Sequence, residues 1–364
     1  MVSQSFDEKF VTNKKQGTSK DVPFCIGYIY RTTAIQQSMK VKEILQESML
    51  IVGCVVGVSF VTGKEAQAFV GNAKNILLFA VIFGVGVAIL RTFCNKFCLQ
   101  NTHQFAEFTF KNCGHVVYFA LLGCYFVCLV TTLATVQNCF DNLLGKTPFP
   151  LWSLAVVALT IPVLKWGTNG LKTVSTLAFV GAFATFLFVT FKHTSPNETT
   201  INPLSTTSYS LFSLTMVLPV CCTSKRYTKR ENILCVLVAT VVVSLLLWWV
   251  ERVADFTLQL PIGGNLVGVG KVCLCLTIVA CGMSGIVGNA LPLCQGVADL
   301  LPDKNLLAFV VLGVAWAFSC LGLDVLLKYG YMFVAVVGLV IVMRCLSIKK
   351  SRQQVARLIC KVCN

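Results

Sequence analysis

Ten apolar segments joined by short polar connectors restrict this chain to structures that cross a lipid bilayer many times. They lie near 48–71, 75–93, 113–138, 149–165, 172–191, 207–224, 233–254, 266–298, 305–323 and 327–346. A membrane helix needs about 20 apolar residues, so these segments leave no room for a large soluble domain. Composition agrees: 56% of residues are hydrophobic and only 12% are charged, against about 25% charged in a soluble domain. The expected fold is therefore all-α, a polytopic membrane protein of about ten transmembrane helices.

The net charge of +15 would suggest nucleic acid in a soluble protein. Here the bases gather in alternate connectors, and no nucleic-acid partner is expected. Arg91, Lys96, Lys111, Lys165, Lys172, the Lys225–Arg226–Lys229–Arg230 cluster and the C-terminal bases all fall on one side if both termini are cytoplasmic. The outer connectors hold few. This pattern implies a multi-pass protein of the inner (cytoplasmic) membrane. It has an N-terminal tail over 1–47 with an interfacial stretch, a ten-span body over 48–346 and a basic tail over 347–364. The first apolar run starts too late for an ordinary signal peptide, so the first span is expected to serve as its own insertion signal. Most of the 19 cysteines lie inside apolar runs, where they act as small hydrophobes.

Ten spans divide into two fives, 48–191 and 207–346. Because five is odd, consecutive halves must be oppositely oriented, which is the condition for an inverted repeat. The first span breaks its own pattern. In MLIVGCVVGVSFVTGKEAQAFVG, residues 49–71, Ser59, Thr62, Gly63, Lys64 and Glu65 arrive before a bilayer has been crossed. A helix interrupted at membrane depth must place its freed backbone groups in protein or in a watery cavity, and in secondary transporters such segments form the solute and ion sites. The sixth span should then be interrupted too. It carries Ser208, Ser210, Ser213 and Thr215 ahead of Pro219, whose ring removes a backbone donor.

The stretch GCVVGVSFVTGKEAQAF resembles the first span of the YkvI-type bacterial membrane proteins, which read close to G-x-x-x-G-A-G-F-A-S-G-x-E-x-x-x-F. The matches are Gly53, Gly57, Phe60, Gly63, Glu65 and Phe69, with Thr62 in place of Ser. ACGMSGIVGNALPL in span 8 and LGLDVLLKYGYMFVAVVGLVIV in span 10 are also similar. That family is similar to the amino acid–polyamine–cation superfamily. The resemblance implies the LeuT-like five-plus-five inverted repeat, with helices 1 and 6 interrupted. It also implies a sodium site built from span-1 carbonyls and span-8 hydroxyls, for which Gly53 and Ser284 are the candidates. Val58, Ser59, Val61 and Met283 depart from the family's pattern.

The function these features imply is secondary transport of a small amino-acid-like solute by alternating access, coupled to Na+ or H+. Gly57, Ser59, Phe60, Thr62 and Gly63 from span 1, with Ser210, Ser213 and Thr215 from span 6, are the candidate solute-binding residues. Glu65 is a candidate gate or proton site, set against a solvated ion pair with Lys64 near the outer mouth. Small residues such as Gly53, Gly57, Gly282 and Gly285 also fit plain helix packing, and span-6 hydroxyls also fit back-bonding to their own helix. Neither a cofactor nor a resident metal is expected, since Cys94, Cys98, Cys113 and His115 match no standard ligand spacing. No catalytic triad or phosphate-binding loop is present in the sequence, which argues against an enzyme. A passive channel, or a sensor or assembly protein on the same fold, are the alternatives. Oligomeric state is left open.

Overall fold

The computed structural model describes residues 41–190, 202–223, 228–255, 258, 260–262, 266–296, 304–320 and 329–362. Residues 1–45 form a unit separate from 46–364. Of that smaller unit only 41–45 are described, and they are helical. Asn197–Glu198–Thr199, which matches a glycosylation sequon, Asp324, expected in the short connector between spans 9 and 10, and Cys363 of the tail lie outside the described residues.

The larger unit begins with the broken segment. It is helical over 46–55 (α1), non-helical at Val56 and Gly57, and helical again for the four residues Val58–Val61 (α2). A turn at Thr62 and Gly63 leads into a π-helical stretch, Ala66–Val70. Then follow α3 (Ala73–Phe97), α4 (Thr102–Phe110), α5 (Gly114–Leu144), α6 (Leu151–Lys165) and α7 (Gly167–Thr190). The second half comprises α8 (Pro203–Thr223), α9 (Lys229–Val253), α10 (Val269–Gly296), α11 (Lys304–Ser319) and α12 (Tyr331–Val362).

Helix starts follow local chemistry. Asn72 and Asn101 each accept a hydrogen bond from the backbone N–H three residues on, at 2.9 and 2.8 Å. Thr228 and Glu231 form a reciprocal capping box at the head of α9. Among the described residues, seven helices are long and apolar enough to cross a membrane, and α6 and α11 are shorter apolar helices. With the broken first segment these account for all ten expected spans.

The first four counterpart pairs of the two halves pack on each other. The π-helical stretch meets α8, α3 meets α9, α5 meets α10 and α6 meets α11. The faces turned inward carry buried Thr131, Thr135, Ser175, Thr185, Ser210, Ser213, Thr277 and Ser284, whereas Leu77, Val116, Phe119, Leu245 and Leu276 point outward and are exposed. Polar groups inside and aliphatic groups outside is the arrangement a lipid solvent demands.

Two expectations are corrected. Span 6 is not interrupted among the described residues: α8 is helical throughout and carries Pro219 within it. A proline inside a helix removes one hydrogen bond and bends the rod, and neighbouring helices and hydroxyls can re-satisfy the freed groups. Nor is the connector at 91–112 a simple loop, because it contains α4, whose polar and aromatic sequence THQFAEFTF gave no apolar run to read.

Candidate functional site

The break in the first segment has a definite backbone. Gly57 is extended at φ −90°, ψ −176°, a conformation open to any residue. Gly63 sits at φ +84°, the left-handed region that favours glycine. A Cβ there would lie 3.1 Å from Pro261, and the Ile262 N–H donates to the Thr62 carbonyl at 3.3 Å. The connector after α9 therefore lies across the break and takes up one of its freed carbonyls. At Gly57 the surroundings differ: an added Cβ would meet nothing within 4 Å, although Val55, Val56, Val58 and Phe60 are all buried. There is open space at the point where the helix stops.

α5 holds the restart. Ser59 Oγ shares a hydrogen bond with Thr135 Oγ1 at 3.1 Å, and Lys64 Nζ donates to Asn138 Oδ1. Phe60 is buried. Thr62 Oγ1 donates back to the carbonyls of Val58 and Ser59 at 3.1 and 3.3 Å.

Glu65 is the most constrained polar group near the break. It is 5% exposed, so the expected solvated ion pair with Lys64 is not what forms. Tyr209 of α8 donates to Oε2 at 2.5 Å and Tyr331 of α12 donates to Oε1 at 2.8 Å. Among the described residues no Lys, Arg or His forms an ion pair with it. Phe69 stacks on both tyrosines, with ring centroids at 5.5 and 5.3 Å, and Phe212 stacks on Tyr331 at 4.0 Å. Thr206 Oγ1 donates to the Phe69 carbonyl at 2.7 Å, which ties the end of the π-helical stretch to the first turn of α8. Tyr209, Tyr331 and Thr206 were not anticipated from sequence. A tyrosine inside a membrane span is the one local signal, because its hydroxyl needs a partner.

The expected hydroxyls of α8 bond within their own helix. Ser210 donates to Thr206 O and Ser213 to Tyr209 O, each at 2.9 Å. Thr215 donates to Leu211 O at 3.2 Å and lies 3.3 Å from Val334 O on α12.

Gly53 and Ser284, far apart in sequence, come together. Ser284 Oγ lies 3.4 Å from the Gly53 carbonyl and shares a 2.9 Å hydrogen bond with Ser175 Oγ of α7. Gly53 permits this, since a Cβ there would fall 2.4 Å from the Ser175 Cβ. One carbonyl and two hydroxyls thus meet in a buried cluster of hard oxygen donors.

At the other end of the broken segment, Glu47 is 3% exposed. Its carboxylate lies 3.4 Å from Lys172 Nζ of α7 and 3.7 Å from Arg91 Nη2 of α3. A narrow crevice of about 30 Å³ runs beside Leu50, Cys54, Leu171, Met216, Pro219 and Gln295. It lies between the first half of the segment and the ends of α8 and α10.

No protein-family model matches the sequence, and neither does any curated protein. The structure does match solved transporters. A Na+-coupled sialic acid symporter in a substrate-bound outward-open state aligns with TM-score 0.60 at 13% identity, over 82% of this chain and 76% of that one. MhsT in complex with L-phenylalanine aligns with TM-score 0.59 at 13% identity, over 82% and 87%. Mhp1, a nucleobase-cation-symport-1 family transporter bound to bromovinylhydantoin, gives 0.53 at 11% identity, over 81% and 74%. The chain is a multi-pass membrane protein with the LeuT fold.

Proposed function

We propose that this protein is a secondary transporter that moves a small amino-acid-like solute across the cytoplasmic membrane by alternating access, coupled to Na+ or H+. Both termini are cytoplasmic in this reading, which also rests on the resemblance of the first span to the YkvI-type proteins. The observation that carries it is the broken first segment. Its open space at Gly57 is flanked by the Gly53–Ser175–Ser284 oxygen cluster on one side and by the Glu65–Tyr209–Tyr331 clamp on the other.

Each part has a physical role. The restart helix α2 is only four residues long, so its dipole alone is a weak anchor for a solute carboxylate, and the hydroxyl of Ser59 supplements it. The oxygen cluster suits a hard monovalent cation. Glu65, buried with hydroxyl partners and with no basic one among the described residues, is the group whose charge a proton or a solute ammonium would balance. With Tyr209 and Tyr331 it joins span 1 to spans 6 and 10, and opening that side of the protein requires those two hydrogen bonds to part.

Counterflow in proteoliposomes tests the reading. Preloaded amino acid should accelerate uptake of labelled amino acid through the wild-type protein, an effect that a channel does not give. Glu65→Gln should keep counterflow and lose proton-driven accumulation if Glu65 carries the proton, or lose both if it holds the solute amine. Absence of counterflow, together with absence of thermal stabilisation by any amino acid with or without Na+, would overturn the transporter reading in favour of a sensor or assembly protein.

A further inference from the structure

We infer that His103, Glu107 and His115 form a binding site for a divalent transition-metal ion of the zinc class. The site lies at the end of the bundle opposite Glu65. α3 leaves the Glu65 end and runs 25 residues, roughly 37 Å, before the connector that carries these side chains.

The local fold builds the site. His103 and Glu107 stand one turn apart on α4, so they share a face. A 3₁₀ turn at Lys111–Cys113, with Lys111 at φ +50°, reverses the chain into α5. Gly114 then lies directly on Glu107: a Cβ would fall 2.6 Å from the Glu107 Cα and 3.1 Å from its backbone nitrogen. Only glycine allows this approach, and it delivers the next residue, His115, to the same carboxylate. Glu107 Oε2 is 3.5 Å from His103 Nδ1, and Oε1 is 3.7 Å from His115 Nε2. The three ligand atoms lie within 4.8 Å of one another. A tetrahedral ion with bonds of about 2.0–2.1 Å holds its ligands roughly 3.3 Å apart, so small side-chain rotations close the set. Tyr118 braces the His103 ring edge-on at 4.7 Å.

The donor set chooses the ion. Two imidazoles and one carboxylate suit zinc, cobalt or nickel and disfavour calcium and magnesium, which take oxygen. The chain has three histidines in all, and two of them converge on this one carboxylate. The remaining coordination positions face a cleft of about 600 Å³ lined by Gln100, Tyr118 and Gln295, from which an ion can enter. Gln295 also lines the narrow crevice beside the first segment, and Arg344 of α12 donates to the Thr109 carbonyl of α4 at 3.1 Å. An ion here would fasten α4 to α5 and stiffen the end of the bundle where that crevice runs. The binding claim is independent of the transport reading.

Metal-stripped, full-length protein in detergent, titrated with Zn2+ by calorimetry and with Co2+ by absorption, provides the test. One saturable site per chain is expected, with a raised Tm and a cobalt spectrum lacking the intense thiolate band. His103→Ala, Glu107→Gln and His115→Ala should each weaken binding by about 100-fold or more, at or above the loss usual for an outer-shell partner. The side chains of His103, Glu107 and His115 are 42%, 44% and 71% exposed, so the variants should keep most of the metal-free Tm. The double variant Cys98→Ser, Cys113→Ser should bind as wild type does. The inference is overturned by no saturable binding, by binding unchanged in the three variants, or by loss of binding in the cysteine variant.

Discussion

Glu47 and Glu65 belong to the same broken segment, stand on opposite sides of its break and are almost equally buried, yet they are neutralised in opposite ways. Glu47 faces two cations, Arg91 and Lys172. Glu65 faces two tyrosine hydroxyls. On the Glu47 half Gly53 is pressed on Ser175, whereas at Gly57, where the Glu65 half begins, there is open space. A buried carboxylate between cations is pinned, because removing either partner strands a charge in a low dielectric. Among the described residues no fixed counter-charge faces Glu65, which on the proposed reading leaves it free to exchange a mobile cation. On that reading, one half of the segment acts as an anchor and the other as the responsive half.

The largest expected effect tests the anchor. Arg91→Met leaves Glu47 only the partly exposed Lys172 at 3.4 Å and should destabilise the folded protein by about 3 kcal/mol, the low end of the loss when a buried ion-pair partner is removed. Adding Glu47→Gln should recover most of that loss, since Lys172 is partly exposed and can turn to solvent. Thermal or urea unfolding in detergent reads both. A double variant no better than Arg91→Met alone would show that the two charges are not coupled.

The same neutralisation on the responsive side should be mild. Glu65→Gln keeps an acceptor for one tyrosine and removes a charge that no base among the described residues offsets, so its stability should stay within about 1 kcal/mol of wild type. Tyr331→Phe with Glu65 intact leaves one carboxylate oxygen without its donor and should lose about 1.5–3 kcal/mol, the range for hydrogen bonds to charged groups. Combined with Glu65→Gln, the Tyr331→Phe penalty should shrink. If Glu65→Gln proves as damaging as Arg91→Met, the distinction between anchor and responsive half fails.

Legibility in the sequence divided along a similar line. The ten segments could be read because a bilayer enforces long apolar runs, and the break because Lys64 and Glu65 follow Gly63 too soon. Gly53 and Ser284 were reached through a family resemblance, and they do meet, but Ser175, which completes the cluster, sits in an ordinary-looking helix. The partners of Glu65 lie 144 and 266 residues away, and nothing local in the chain encodes such distances. Pro219 suggested a second break, and the helix absorbed it. α4 was missed because amphipathic connectors lack the apolar length that made the spans visible. His103, Glu107 and His115 were scattered until Gly114 folded them onto one point.

A pair of glycine substitutions separates the two halves most cleanly. Gly53→Ala forces a methyl to 2.4 Å from the Ser175 Cβ, and an overpacked site of this kind loses roughly 1–3 kcal/mol. Gly57→Ala meets nothing within 4 Å, and its φ of −90° suits alanine. Reduced freedom of the unfolded chain should therefore leave it unchanged or more stable by about 0.4–1 kcal/mol. Its consequence belongs to function: the methyl enters the space proposed for the solute, so amino-acid-induced thermal stabilisation should fall while the ligand-free Tm does not. Gly57→Leu should abolish that stabilisation. Equal losses of Tm from Gly53→Ala and Gly57→Ala would mean that the break is as tightly filled as the anchor, leaving no room at Gly57 for a solute.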